Sequence, residues 1–273
     1  MHPLPEYPRP SMRRDSYVNL NGPWDYAITQ SSEFPAKWDG AILVPYSPEA
    51  KASGVGRTLQ PGQWLHYHRT FTPPAGEGGR VLLHFGAVDY ACAVEVNGRL
   101  AGGHRGGYWP FTLDITDLLR PQGHNTLWVA VQDPTGTGTQ ARGKQTLRPG
   151  GMFYPAQSGI WQTVWLERVP DNYIQTLTVT PDYDARTVTV RVHTAKPGGA
   201  VYLWAMVRAG GVSGLHGKKC SSGMFRVTSP SWSASSLPQS SAMVTPPART
   251  MAHRLTAPPG FAVCTRTVTV RAS

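Results

Sequence analysis

Residues 201–273 contain no aspartate and no glutamate. With acidic residues at roughly 12% of an average chain, such a run has a chance probability on the order of 1 in 10,000. The first 200 residues hold all 16 acidic residues and 18 of the 26 Lys and Arg. The net charge of +10 therefore sits mostly in the tail. That tail also lacks basic clusters with interleaved aromatics, which argues against nucleic acid as a partner. Only three cysteines occur, Cys92, Cys220 and Cys264, an odd number without metal-ligand spacing. A disulfide framework is not expected, and a reducing, cytoplasmic setting is. No run of about 18 apolar residues exists, so no membrane span is expected. The opening "MHPLPEYPRPSMRRD" has no apolar core, so no signal peptide is expected either.

Turn formers are plentiful, with Gly 29 and Pro 25, and the hydrophobic share of 40% can fill a core. "QWLHYHRTFT" (63–72) alternates Leu65, Tyr67, Arg69 and Phe71 against Trp64, His66, His68 and Thr70, which is a strand pattern. "GRVLLHFG" (79–86), "YACAVEVN" (90–97), "PFTLDIT" (110–116), "HNTLWVAVQ" (124–132) and "GIWQTVWLER" (159–168) read likewise. Asn97-Gly98 suits a hairpin turn, because both residues tolerate positive φ. Short strands with turn chemistry every 8–15 residues indicate an all-β sandwich. From 171 a second unit begins, with strands at 174–180 and 186–194 and a turn at Pro181-Asp182. Beyond 200 the pattern decays, and only "VCTRTVTVR" (263–271) alternates again.

Five stretches in order carry a resemblance: "LNGPWDY" (20–26), "VPYSPEAKASG" (44–54), "LLHFGAVDYACAVEVNGRLAGGHRGGYWPFTLDIT" (82–116), "RGKQ" (142–145) and "YPAQSGIWQTVWLE" (154–167). Over about residues 13–195 the chain resembles the N-terminal, sugar-binding part of glycoside hydrolase family 2, which includes β-galactosidases, β-glucuronidases and β-mannosidases. The resemblance implies a galactose-binding-like jelly-roll β-sandwich over 1–170. An immunoglobulin-like β-sandwich should start at 171–200, with 201–273 as an atypical basic, Ser/Pro-rich tail that departs from that pattern, as an out-of-frame segment would. It further implies a third, catalytic (β/α)₈ barrel bearing two glutamates about 5 Å apart. A barrel needs about 250 residues of its own, so this chain is expected to be truncated before it and inactive alone. The partner implied is a β-glycoside in the full-length enzyme. No cofactor is implied, and the intact enzyme could form oligomers through this domain.

The loop "GKQTLRPGGMFYPAQSGIWQTVWLERV" (143–169) presents polar and aromatic groups before entering a sheet. Arg142, Lys144 and Gln145 suit recognition of sugar hydroxyls, since Lys donates strongly and Gln both donates and accepts. Their alternative role is to anchor the loop to the neighbouring domain. Tyr108 and Trp109 in "GGYWPF" could stack on a pyranose. Packing is the commoner use of aromatics, so Tyr108, Pro110 and Phe111 are expected to cap the core. Trp161 and Trp165 are expected to share one strand face. His66 and His68 share a face, yet no acid or Cys nearby completes a metal site. Among Glu49, Glu95, Asp89, Asp114 and Asp117 no catalytic pair is recognisable, and Asp89 and Asp114 read as turn residues that bond the backbone two positions on. Ser158 lacks a nucleophile elbow. No catalytic residue is assigned. A standalone carbohydrate-binding module is the alternative reading.

Overall fold

The computed structural model describes residues 3, 5–9, 11–182, 184 and 187–196, and beyond them the backbone strands within 201–272. The chain divides into two units, one of residues 1–8 and 16–169, the other of 9–15 and 170–273. The strands, in chain order, are β1 (Val18–Asn19), β2 (Gly22–Thr29), β3 (Gly40–Val44), β4 (Trp64–Phe71), β5 (Arg80–Phe85), β6 (Val88–Asp89), β7 (Ala91–Val96) and β8 (Arg99–Arg105). Then come β9 (Phe111–Asp114), β10 (Asn125–Gln132), β11 (Gln145–Thr146), β12 (Tyr154–Pro155), β13 (Gly159–Ile160) and β14 (Val164–Val169). Helix among the described residues is limited to two short 3₁₀ turns, Lys51–Ser53 and Thr116–Leu118.

The first unit is the expected sandwich. Its large sheet runs β3-β2-β4-β10-β7-β8 and its small sheet β1-β14-β5-β9. Alternation along each strand decides the faces. Leu65 and Tyr67 of β4, Leu127, Val129 and Val131 of β10, and Val94 and Val96 of β7 join Val81, Leu83, Phe85, Val164 and Leu166 of the small sheet in one apolar cluster. Fully burying each such side chain contributes about 1.5–3 kcal/mol. Asn97 and Gly98 adopt φ 55° and 76° and close the β7–β8 hairpin as their chemistry predicts. Asn97 also donates through Nδ2 to Leu118 O and Asn125 Oδ1, both at 2.8 Å, and accepts from Thr126 N. The turn thus ties three segments together.

The outer faces are covered too. His66 and His68 do share a face of β4, and both rings are packed against aromatics. His66 stacks on Trp128, and His68 on Trp38, with Phe34 edge-on to His68. Among the described residues no group of three or more His, Cys, Asp or Glu is placed to hold a metal. On the small sheet, the N-terminal arm brings the Tyr7 hydroxyl to Glu167, whose other oxygen faces His84 Nε2 at 3.0 Å.

Two expectations need correction. Residues 159–168 are not one strand. β13 pairs with β6, β14 pairs with β5, and residues 161–163 between them are not in a strand. Trp161 lies in that break and Trp165 on β14, so they share no strand face. Alternation in sequence continues across the break because both sides are buried. In the second unit, β15 (Ile174–Asp182) runs through Pro181 and Asp182, which pair with Val188 and Thr187 of β16 (Thr187–Thr194). The turn therefore falls later than Pro181-Asp182.

Within that second unit, Arg14 donates to Ile174 O at 2.5 Å and lies over the Tyr173 ring. Further backbone strands are β17 (Val201–Ala209), β18 (Val212–Cys220), β19 (Gly223–Thr228), β20 (His253–Leu255) and β21 (Thr267–Ala272). They complete sheets of order β15-β16-β19 and β18-β17-β21-β20. Much of the tail expected to be atypical, 229–252 included, lies outside the described residues.

Candidate functional site

Two segments meet at one end of the first unit, the loop 106–111 and the strap 142–157. The loop is pinned from beneath. Gly106 N donates to Tyr90 O at 2.8 Å, and Trp161 Nε1 donates to Gly107 O at 2.7 Å. Gly107 sits so close to Asp89 that a Cβ there would overlap the carboxylate. With its backbone held down, the loop turns Tyr108 and Trp109 outward, and Trp109 is 72% exposed.

The strap is shaped by backbone pairing. β11 and β12 run parallel, Tyr154 N donates to Lys144 O at 3.0 Å, and Gly150 and Phe153 exchange backbone hydrogen bonds. The turn between them exposes Met152, Phe153 and Tyr154. Gln145 joins strap to loop. Its Nε2 donates to Tyr108 Oη at 3.3 Å and to Asp89 Oδ2 at 3.4 Å, while its Oε1 accepts from Gln157 N at 2.7 Å. Gln157 Oε1 in turn accepts from the Ser47 hydroxyl.

Beneath this ledge lie three carboxylates. Glu49 accepts from Leu59 N at 3.1 Å and from Ser158 N at 3.0 Å. Asp133 accepts from Thr135 N at 2.7 Å and from the Ser158 hydroxyl at 2.9 Å. Asp89, 4% exposed, receives among the described residues only the long bond from Gln145. Burial first, then the negative charge of Asp133, pushes the Asp89 carboxyl up to about 7. Burial likewise raises Glu49, against hydrogen bonds that hold it down. A carboxylate stripped of water and given few donors keeps its proton longer.

Tyr108, Trp109, Lys144 and Gln145, singled out from the sequence, come together at the ledge. Gln145 uses both ends of its amide internally, and Arg142 donates to Gly138 O at 2.8 Å, so both take part in holding the strap. Lys144 is exposed. Tyr108 and Pro110 are exposed rather than capping the core; of that trio only Phe111 packs inward, stacked on Phe85 at 4.8 Å. The reason is that Gly107, wedged on Asp89, directs the following residues away. Asp114 does bond the backbone two residues on, at Thr116 N. Asp89 does not; it is a buried strand residue paired with Gly159. Asp133 escapes sequence reasoning, because its signal is slight: an Asp-Pro step closing an apolar strand. Ser158 is buried and donates to Asp133.

A β-sandwich whose loops present exposed aromatics over a buried polar network has the build of a recognition scaffold for flat-faced ligands. Among known families, residues 55–166 match the one described as glycosyl hydrolase 2 galactose-binding domain-like. This segment therefore belongs to the galactose-binding-like domain of glycoside hydrolase family 2. A β-galactosidase of Thermoanaerobacter pseudethanolicus is 34% identical over 101 residues, covering 36% of this chain and 13% of that protein. The β-glucuronidase of Canis lupus familiaris is 27% identical over 213 residues, covering 66% of this chain and 33% of that protein. The solved structure of Faecalibacterium prausnitzii β-glucuronidase aligns with TM-score 0.60 and 23% identity, covering 97% of this chain and 47% of that one. It supports the fold. The chain spans a third or less of the length of these two curated relatives.

Proposed function

We propose that the chain supplies the non-catalytic recognition part of a glycoside hydrolase family 2 enzyme acting on β-glycosides, with 1–170 as the sugar-binding domain, 171–200 as the start of a second sandwich and 201–273 as an atypical tail. The observation that carries this reading is the ledge: Gln145 ties Tyr108 to the strap, leaving Trp109, Phe153 and Tyr154 exposed at the same end. Flat aromatic faces suit the apolar face of a pyranose. Lys144 and Arg148, both exposed on the strap, suit a sugar bearing a carboxylate, in line with relatives named β-glucuronidase.

The chain has no part in bond cleavage by itself. Retaining hydrolysis needs two carboxyl groups about 5 Å apart flanking the scissile bond. Glu49 and Asp133 spend both oxygens on internal donors, and Asp89 lies sealed under Gly107. Hydrolysis of p-nitrophenyl β-galactoside, β-glucuronide, β-mannoside and β-glucoside tests this directly, with no turnover expected. A second reading, a standalone carbohydrate-binding module, is favoured by the 72% exposure of Trp109 and 65% of Tyr154. Calorimetric titration with the free sugars separates the two: saturable heat from this chain alone, lost in Trp109→Ala, supports the module, and no heat supports a domain that meets sugar only within the intact enzyme.

A further inference from the structure

We infer that Asp89 and Gln145 form a protonation-sensitive clasp that positions the 106–111 loop and the 142–157 strap, so that the ledge is held closed when Asp89 is neutral and loosens when it ionises. The inference takes its functional meaning from the ledge reading above, but the clasp stands on contacts that need no ligand.

The geometry makes Asp89 the floor of both segments. Gly107 rests on its carboxyl group, and Gln145 reaches it from the strap while also holding the Tyr108 hydroxyl. Through Gln157 N the same glutamine fixes the far end of the strap. Among the described residues, Gln145 is the side chain whose hydrogen bonds join strap to loop.

The groups facing Asp89 decide the sign. From the end of β10 comes Asp133, and from the segment after β3 comes Glu49, both acidic. β13 brings only Gly159 and Ile160, the loop brings Gly107 and Tyr108, and the strap brings Gln145. Among the described residues no cationic side chain is ion-paired with Asp89. A neutral carboxyl fits this site, since its carbonyl oxygen still accepts from Gln145. The Gln145 bond by itself favours an ionised Asp89, but loss of water and repulsion by Asp133 outweigh it, so the charged group gains by opening toward water. The titration lies near 7, where ordinary changes of pH reach it. The neighbouring pair Glu49 and Asp133 have their oxygens satisfied, which leaves Asp89 as the group whose charge the closed ledge accommodates worst.

The test is amide hydrogen exchange by mass spectrometry on the whole chain, at about pH 6 and about pH 8, corrected for intrinsic rates. The expected result is that protection of 106–111 and 144–157 falls about tenfold at the higher pH, while the core strands β4 and β10 keep theirs. Asp89→Asn keeps an acceptor for Gln145 and removes the charge, so it should hold the protection at both pH values. Asp133→Asn removes a like charge facing Asp89, which makes ionisation of Asp89 easier. It should therefore move the midpoint of the change to lower pH. Equal protection at both pH values in the wild type, or an unchanged midpoint in Asp133→Asn, would overturn the clasp. Loss of sugar binding alone would not, since exchange is read without ligand.

Discussion

Burial and the charge of Asp133 raise the Asp89 carboxyl to about 7, from an ordinary value of 3.8. The unfolded chain releases this proton at lower pH than the folded one does. Between about pH 4 and pH 7 the folded state therefore binds more protons, and stability falls as pH rises through that window. Above 7 the loss from this group is complete. Urea unfolding of wild type and Asp89→Asn should give similar midpoints at acid pH and a higher midpoint for Asn above neutrality. A second residue-scale test concerns Gly159, at φ 75°, where a Cβ would collide with the Tyr67 hydroxyl. That hydroxyl accepts from Ile160 N at 3.1 Å and is fully buried. Gly159→Ala combines a left-handed backbone cost with overpacking and should lower stability by about 2–5 kcal/mol, measured by denaturant unfolding.

At the scale of elements, the β7–β8 hairpin is legible in the sequence because its signal is local. Asn97-Gly98 needs no distant partner to specify positive φ at both positions. Asn97→Ala would lose that preference and leave the carbonyl of Leu118 and the amide of Thr126 short of partners. A loss of about 2–3 kcal/mol is expected, visible as a shifted unfolding midpoint. Elements fixed by distant contacts are not legible in the same way. The break at 161–163 is set by pairing of Thr163 O with Gly86 N and of Trp161 N with Ala87 O, and no local pattern announces either bond. The turn expected at Pro181-Asp182 is displaced because Pro181 is accommodated within strand pairing. Trp161 offers a test of the loop's support. Trp161→Phe removes the donor to Gly107 O and should cost about 1 kcal/mol while speeding hydrogen exchange across 106–111 more than across β4.

For the whole molecule, the all-β class and the family resemblance are readable from the chain alone, because ordered motifs between residues 20 and 167 add up even where each is weak. The site is legible only in part. Tyr108, Trp109, Lys144 and Gln145 can be named from two loop motifs. That Glu49, Asp89 and Asp133 gather beneath them cannot, since they come from the turn after β3, the end of β6 and the residue after β10, and only the closed sandwich brings them together. The same gathering explains why carboxylates of the right type serve structure here: the oxygens of Glu49 and Asp133 are occupied by backbone and Ser158 donors. The charge imbalance of 201–273 has no structural account among the described residues.

If this chain recognises glycosides without cleaving them, the most direct measurement is release of p-nitrophenolate from p-nitrophenyl β-D-glucuronide and β-D-galactoside by the purified chain. No release above the uncatalysed rate is predicted. Sustained release by the chain, abolished by Asp89→Asn or by Glu49→Gln, would contradict that and would place the chemistry on the buried carboxylates.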